Sequence, residues 1–586
     1  MSMLSGLKRE PFTFLFQKMW QFSASRRHLI VLCSGMFVIA NVAVLFEPVI
    51  LAKLLNEIQL HGVTDANINY LLTLCGLFLV IIIIFWFFHG IARVIEVRNA
   101  FLVKVDYQSF LVKNALEQNL LWHQVRDSGD ILDRVNKARD ALHSFSSSSF
   151  IVIQLIVKII GTAIALYFFS GVIAIGVTLL VFVSFYILWS FDKRLIKQYN
   201  KLNEYDNTIS AKLFDSISNI TSILILRIQK TILSNLKKVF LDPKDTVRKN
   251  SVLNEWKWFT GNFIFQLIVS VPLGFYLWNA LKTGQSIEVG TVSALYLYLS
   301  GLIFAYFSFA GSYESIIQQK TKVLNAASLE EVVEIKAKDI QFNSIETLEI
   351  NNLSFRYDAA SVKPAVYVKN LSFKKGEKVA VIGQSGSGKT TFLKVLHGLY
   401  ENAKGEMIVN NNAIIPVGEH DIGTMLVPQD PELFSASIRE NITFGVEYSD
   451  EYITQFVESA RFESALTRLP KGLDSVVNEK GVNLSGGEKQ RLALARALLF
   501  AQDKNILLLD ESTSSVDPEN EIAIYKNIFT QYQNTIIVAS IHKLNLLKYF
   551  DYVVRFENGE IVDIGTIDAL CSRDAMFKSL YEEYRA

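Results

Sequence analysis

The chain has 586 residues, a formal net charge of +1, half its residues hydrophobic, 41 phenylalanines and a mean hydropathy of +0.27. That charge balance argues against nucleic acid as a partner, because no basic excess is available to neutralise phosphates. The apolar excess argues for a membrane part, and the length allows two or more domains. Cys33, Cys75 and Cys571 lie far apart without metal-like spacing and are read as packing residues.

Residues 1–28 are read as an amphipathic segment on the inner membrane face. Phe12–Phe22 is apolar and aromatic but interrupted by Gln17 and Lys18, and it lacks the cleavage site of a secretory leader. Six apolar stretches follow, near Leu29–Leu51, Tyr70–Ala92, Phe150–Phe169, Val172–Ser190, Trp258–Leu281 and Val289–Gly311. Each supplies the ~20 helical residues that cross roughly 30 Å of hydrocarbon, so 29–325 is expected to be an all-α transmembrane domain contacting membrane lipid. Residues 54–69 carry no Lys or Arg and Ser170-Gly171 barely makes a turn, whereas 93–149 and 191–257 are long and basic. The positive-inside rule places the long loops and both termini in the cytoplasm. Apolar residues at helical spacing in Ala100–Leu120 and Leu202–Leu226 predict that the helices run on beyond the bilayer. They are expected to turn near Trp122–Asp130 and Thr221–Lys230, at tips that are either solvent-exposed or docked on another domain. A linker is expected over 326–344, and 345–586 reads as a soluble α/β domain.

The chemistry concentrates in that last part. A β-branched strand, Val379–Ile382, breaks into Gly383-Gln384-Ser385-Gly386-Ser387-Gly388 and re-emerges as Lys389-Thr390-Thr391 opening a helical pattern. This is the G-x-x-x-x-G-K-[ST] phosphate loop. Its glycines let backbone N–H groups surround a polyphosphate at a helix N-terminus. Lys389 is expected to reach the β- and γ-phosphates of ATP, and Thr390 to ligate Mg²⁺. Downstream, the apolar strand Ile506–Leu509 ends in Asp510-Glu511. Asp510 is expected to hold Mg²⁺ through water and Glu511 to act as general base toward the attacking water.

Between them stands Leu484-Ser485-Gly486-Gly487-Glu488, followed by Lys489-Gln490-Arg491. That run resembles the signature of ATP-binding cassette (ABC) ATPases, which implies a P-loop NTPase domain of ABC type. The resemblance also implies that Leu484–Glu488 face the γ-phosphate of a nucleotide held by another subunit. By the same resemblance, Tyr357 in SFRYD stacks on adenine, and Gln429 in VPQDPELF senses γ-phosphate and Mg²⁺. Asp517 in SSVD belongs to the D-loop, and His542 in ASIHK orients Glu511 and its water. Glu479-Lys480-Gly481 is similar to the E-R-G segment of exporters, with Lys in place of Arg. Ser128–Val135 is similar to an element of exporter membrane domains, from which Ile131 and Asp133 depart, and Val289–Val292 to the start of their sixth helix.

The resemblance as a whole is to an exporter-type half-transporter. Since each ATP site needs Lys389 and Ser485 from different subunits, a dimer is implied: a homodimer by preference, because Glu511, Ser485 and His542 are all present, or a pair with a homologous half-transporter. Export or flipping of a lipid-like or drug-like amphipath is the first expectation, in a bacterial inner membrane. Import of a siderophore-like or other small amphipathic ligand is the second, suggested by Glu488 in place of the commoner Gln. Lys158 and Glu47 lie within apolar spans and are functional candidates on cost alone. For Lys158, an anionic headgroup and an internal partner stay equally open; for Glu47, an internal partner is preferred.

Overall fold

A computed structural model describes residues 10–126, 128–330, 338–339, 342–358, 361, 363–418, 420–477 and 484–585. The segment Glu479-Lys480-Gly481, parts of 1–28 and much of the 326–344 linker therefore lie outside the described residues. Contacts divide the chain into two units, one of residues 1–116 and 128–332, the other of 117–127 and 333–586.

The first unit is all helix. Its elements are α1 (Pro11–Phe22), α2 (Arg27–Val44), α3 (Glu47–His61) and α4 (Ile68–Leu116), with α5 (Leu120–Gln124) belonging to the other unit. They continue as α6 (Ser128–Ser146), α7 (Ser149–Phe169), α8 (Gly171–Ser218), α9 (Ile220–Ile225), α10 (Gln229–Leu241), α11 (Lys244–Thr283) and α12 (Val289–Asn325). Among the described residues, six helical stretches are long and apolar enough to cross a membrane. The second and fourth run well past the ~20 residues that hydrocarbon requires, as their amphipathic continuations predict. Both expected turns coincide with helix breaks, the short helices α5 and α9 occupying them.

The first span differs from its expected form. It breaks at Leu45–Phe46 and resumes as α3, which continues to His61. Pro48 is the cause: it sits in the first turn of α3, where its ring would collide with the carbonyl four residues back in an unbroken helix. The Tyr298 hydroxyl donates to the Leu45 carbonyl at the break, at 2.7 Å. A second break, between α6 and α7, is closed by one helical turn of α4. Arg93 donates to the Ser147 carbonyl and pairs with Glu96, whose carboxylate accepts from the Ser149 hydroxyl and the Phe150 N–H. Helix α1 lays Phe14, Leu15 and Met19 against protein, and Lys18 pairs with Glu330 at 2.5 Å. Its buried edge thus meets the bundle's own helices.

The second unit is an α/β domain around a ten-stranded sheet. Its strands are β2 (Thr347–Phe355), β3 (Val366–Lys374), β4 (Lys378–Ile382), β5 (Lys404–Val409), β6 (Ala413–Pro416) and β8 (Thr424–Val427). They are completed by β9 (Ile506–Asp510), β10 (Ile536–Ser540), β11 (Tyr552–Glu557) and β12 (Glu560–Gly565). The sheet order is β6-β5-β2-β3-β12-β11-β4-β10-β9-β8, and a separate two-stranded pair joins β1 (Lys338–Asp339) to β7 (His420–Asp421). β11, β4, β10, β9 and β8 are parallel neighbours. Their alternate residues feed two cores on opposite faces, Leu507 and Leu509 on one, Ile506 and Leu508 on the other. Burial on both faces is why these strands read as unbroken apolar runs. The helices are α13 (Lys389–Leu396), α14 (Ile438–Thr443), α15 (Asp450–Ser459), α16 (Glu463–Arg468), α17 (Gly486–Phe500), α18 (Pro518–Gln531), α19 (Ile567–Arg573) and α20 (Ala575–Arg585). The short helix α5 joins this unit by placing Leu120 and Leu121 against the core that contains Leu393 and Leu396.

Candidate nucleotide site

The phosphate loop leaves β4 at its buried end and enters α13. Gly383, Gly386 and Gly388 have φ of +156°, +81° and +102°, values that side chains with a Cβ resist. At Gly383 the space is closed as well, since a Cβ would fall 2.4 Å from the Phe556 carbonyl oxygen. The loop curls around the head of Lys389, whose Nζ donates to the carbonyls of Gly383 (2.9 Å) and Gln384 (3.2 Å) and lies 4.0 Å from Glu511. Burial pulls the Lys389 ammonium below its usual pKa, with Glu511 and Asp510 acting against that pull.

Strand β9 lies beside β10, which pairs with β4, and so delivers its last residues to the loop. Asp510 accepts from the Thr390 hydroxyl at 3.0 Å, and burial holds its carboxyl above the ordinary range despite that bond. Glu511 adopts φ +45°, an uncommon conformation for a residue with a side chain and one that clusters at functional sites. One of its oxygens lies 2.5 Å from His542 Nε2, and the other accepts from the Gln429 amide at 2.8 Å. Tyr357 is half exposed, its hydroxyl 2.9 Å from that of Thr391, and its ring meets Phe355 and Tyr400 edge-on.

A polyphosphate and a divalent cation fit this arrangement. The buried Ser387 hydroxyl has no hydrogen-bond partner among the described residues, and the cradle is one that Cβ atoms would fill. Among the described residues no three His, Cys, Asp or Glu side chains gather as a metal cluster. A cation beside Thr390 and Asp510 would therefore take most of its remaining ligands from phosphate and water, the usual manner of Mg²⁺.

The signature residues sit apart from the loop. Ser485 caps α17, accepting from the Glu488 N–H at 3.3 Å while the Glu488 carboxylate accepts from the Ser485 N–H at 2.8 Å. Glu488 also pairs with Arg468 of α16. Gly487 is required by closeness, since a Cβ there would lie 2.6 Å from the Ser515 carbonyl oxygen. Asp517 caps α18, and its hydrogen bonds from Asn520 hold its carboxyl below the usual range. Among the described residues no hydrogen bond or ion pair joins 484–488 to 383–391.

One residue carries more of the site than its sequence position suggested. Gln490, 5 % exposed, donates to the Gln429 carbonyl (3.2 Å) and the Ser514 hydroxyl (2.9 Å), and accepts from the Ser515 N–H (2.9 Å). It ties α17 to the Gln429 segment and to the loop after Glu511. Its only signal in the sequence was its place just after the signature.

Comparison with known proteins joins the two units. Residues 368–514 match the family profile described as "ABC transporter", and 30–306 match "ABC transporter transmembrane region". The chain belongs to the ABC transporter family. Membrane and nucleotide-binding domains are fused in this transporter, giving a multi-pass membrane half-transporter of exporter type. It is 25 % identical over 589 residues, 97 % of this chain and 93 % of the relative, to the uncharacterized ABC transporter ATP-binding protein YfiC of Bacillus subtilis (strain 168). Against YheH of the same strain, named a probable multidrug resistance ABC transporter ATP-binding/permease protein, identity is 28 % over 417 residues, covering 67 % of this chain and only 59 % of that relative. The mesentericin-Y105 transport/processing ATP-binding protein MesD of Leuconostoc mesenteroides is 26 % identical over 581 residues, 93 % of this chain and 76 % of that one. In fold, the transporter resembles a bacterial Atm1-family ABC exporter solved with ATP bound, with TM-score 0.83 and 19 % identity, over 96 % of this chain and 99 % of that one.

Proposed function

We propose that two copies of this transporter bind ATP between their nucleotide-binding domains, hydrolyse it, and use the cycle to export or flip an amphipathic cargo. The observation that carries the hydrolytic part is Glu511, in a left-handed backbone conformation, held between His542 and Gln429 and 4.0 Å from Lys389. A carboxylate fixed at both oxygens beside the phosphate loop is placed to take a proton from attacking water. In this reading Lys389 leaves its two loop carbonyls for the β- and γ-phosphate oxygens, and Gly383, Gln384, Ser385, Gly386, Ser387 and Gly388 supply backbone N–H donors around them. Thr390, Asp510 and Gln429 hold Mg²⁺, which when bound offsets charge on those oxygens. Thr391 anchors Tyr357 beneath the adenine.

A dimer follows from the separation of the two half-sites. With no hydrogen bond or ion pair among the described residues joining 484–488 to the phosphate loop, Leu484, Ser485, Gly486, Gly487 and Glu488 are read as facing a partner's nucleotide, Asp517 beside them. The turn at α9 supports a second copy as that partner. Leu224, Ile225 and Leu226 are exposed there, whereas Leu120 and Leu121 of the first turn already cover a nucleotide-domain core. Closing the nucleotide sandwich would pull on both turns and re-aim the spans, an equilibrium shift driven by differential affinity.

Export is preferred over import, because Glu488, on which import rested, is accounted for by its cap and by Arg468. The basic segments 191–257 and 93–149 support a cytoplasmic side for the long loops and termini, and a bacterial inner membrane is part of the same proposal. The test is Glu511→Gln in the lipid-reconstituted protein: ATP still binds, and steady-state hydrolysis is lost. Near-wild-type turnover would remove Glu511 from the base role.

A further inference from the structure

Among the described residues an ammonium within a membrane-spanning helix has no counter-ion at contact distance. Lys158 is the tenth residue of α7. At about 1.5 Å per residue it lies about 14 Å from the start of that helix and about 18 Å from the Ser170 turn at its other end. A lysine side chain reaches roughly 6 Å, so its head cannot snorkel to water at either end of the helix. Among the described residues none of the ion pairs within 4 Å includes it.

Its surroundings come from two other helices. The ammonium reaches α12 opposite Gly301, where an added Cβ would stand 3.8 Å from Nζ, and it lies 5.7 Å from the centre of the Phe304 ring. That ring is 67 % exposed. Ser300, Phe304 and Ser308 share one face of α12 at helical spacing, a mixed polar and aromatic surface unlike a purely lipid-facing one. Among the described residues the carboxylate that acts on Lys158 through space is that of Glu47, just past the break in the first span. The two are not at ion-pair distance. A lysine at this depth calls for an anion, and the exposed ring beside it suits an apolar chain.

We propose that Lys158, with Phe304 and the gap at Gly301, binds the acidic head of an anionic amphipath, making this transporter's cargo a phosphate- or carboxylate-headed lipid-like molecule. This rests on the transport reading above and adds to it the sign of the cargo's charge. Glu47 then opposes the cargo's charge, which would weaken retention and favour release.

The probes are oleoyl lysophosphatidate, monooleoylglycerol, which lacks the phosphate, and glycerol 3-phosphate, which lacks the chain. Binding of each to the purified full chain in nanodiscs is measured directly, alongside ATPase stimulation. Wild type is expected to prefer lysophosphatidate over monooleoylglycerol at least tenfold and to bind glycerol 3-phosphate far more weakly. Lys158→Met should erase the preference, Lys158→Arg should keep most of it, and Glu47→Gln should strengthen lysophosphatidate binding. No preference in wild type, or an unchanged one in Lys158→Met, overturns the proposal. Equal loss in Lys158→Met and Glu47→Gln overturns it too, because the two would then be structural partners of each other. Tight binding of glycerol 3-phosphate alone would mark a free-anion site and defeat the amphipath. Because binding is read apart from hydrolysis, a selective site without stimulated ATPase would overturn the ligand's assignment as cargo, which rests on the transport reading, and would do so separately from a failure of Lys158 to bind the anion.

Discussion

His542 Nε2 lies 2.5 Å from a carboxylate oxygen of Glu511, and Glu511 holds a backbone conformation that few side chains accept. The imidazole therefore fixes the direction of the carboxylate while the strained backbone fixes its position. His542→Ala should leave ATP affinity within a few-fold of wild type and lower kcat by roughly 10²–10⁴, the usual worth of a positioned proton acceptor. Turnover measured at saturating ATP checks this. A kcat within twofold of wild type would show that Gln429 alone suffices to orient Glu511.

Gln490 offers a test of how the site is braced. Gln490 is buried but its three hydrogen bonds reach exposed residues, and Gln490→Ala removes the partner of the Ser515 N–H, the Gln429 carbonyl and the Ser514 hydroxyl together. Water can take the place of the lost side chain at these partners, so each broken bond costs about 0.5–1.5 kcal/mol. The expected result is a lower unfolding temperature together with a fall in kcat of about tenfold or more. Gln490→Glu keeps the acceptor for Ser515 but loses both donated bonds, and should fall between. Thermal unfolding and ATPase assays on both variants give the order.

What could be read from the sequence follows a physical line. Phosphate chemistry dictates residue types at adjacent positions, so Gly383–Thr391 and Asp510-Glu511 are legible from the residues themselves, whereas Leu484–Glu488 is legible through its resemblance to the ABC signature. Hydropathy marked six spans because hydrocarbon demands length and apolarity together. Contacts between residues distant in the chain had no such signature. Gln490 gave no sign that it would meet Gln429 and Ser515, nor Glu96 that it would cap Phe150 across a helix break. Pro48 was visible, yet the break it imposes at Leu45–Phe46 was read through, since the run stayed apolar on both sides. Asp133, which departs from the exporter pattern, turns out to pair with Lys137 one helical turn on, at 2.7 Å.

Asp510 links the site to pH. Burial raises its folded pKa above the ordinary carboxylate value of 3.8. As pH rises from below that value, the unfolded chain gives up its proton first, so the folded state binds more protons through the window. Stability conferred by the protonated form is complete below the unfolded pKa and is lost as pH climbs through the raised folded one. Asp510→Asn removes the ionisation, and without nucleotide it should unfold at a higher temperature than wild type at neutral pH. A shift on the order of 2–4 °C corresponds to about 1 kcal/mol in a domain of this size. The gap should close toward the acid end of the window, and ATPase should be abolished throughout. Scanning calorimetry across pH, with and without Mg-ATP, separates these effects. A variant less stable than wild type at neutral pH would contradict the assigned cost of burying the charge.

The junction of α3 with α12 supplies a test inside the membrane domain. Asn56 Oδ1 accepts from the Gly290 N–H and Gln59 Oε1 from the Val289 N–H, each at 2.8 Å, so side chains of one helix satisfy the first free donors of another. That closeness leaves no room at Gly290, where a Cβ would sit 2.1 Å from the Ala52 carbonyl oxygen and 2.5 Å from Asn56 Oδ1. Both obstacles are fixed, one as backbone and the other by its own hydrogen bond, so neither swings away cheaply. Gly290→Ala should force the helices apart at a cost of about 1–3 kcal/mol, and Gly290→Val should cost more. Gly274→Ala is the control, for in the preceding helix α11 no atom beyond that helix's own adjoining backbone lies within 4 Å of a Cβ built there. Unfolding temperatures in one detergent or nanodisc preparation decide the matter. Equal values for Gly290→Ala and Gly274→Ala would mean that the two helices are free to separate, and that the hydrogen bonds of Asn56 and Gln59 do not hold the start of the sixth span.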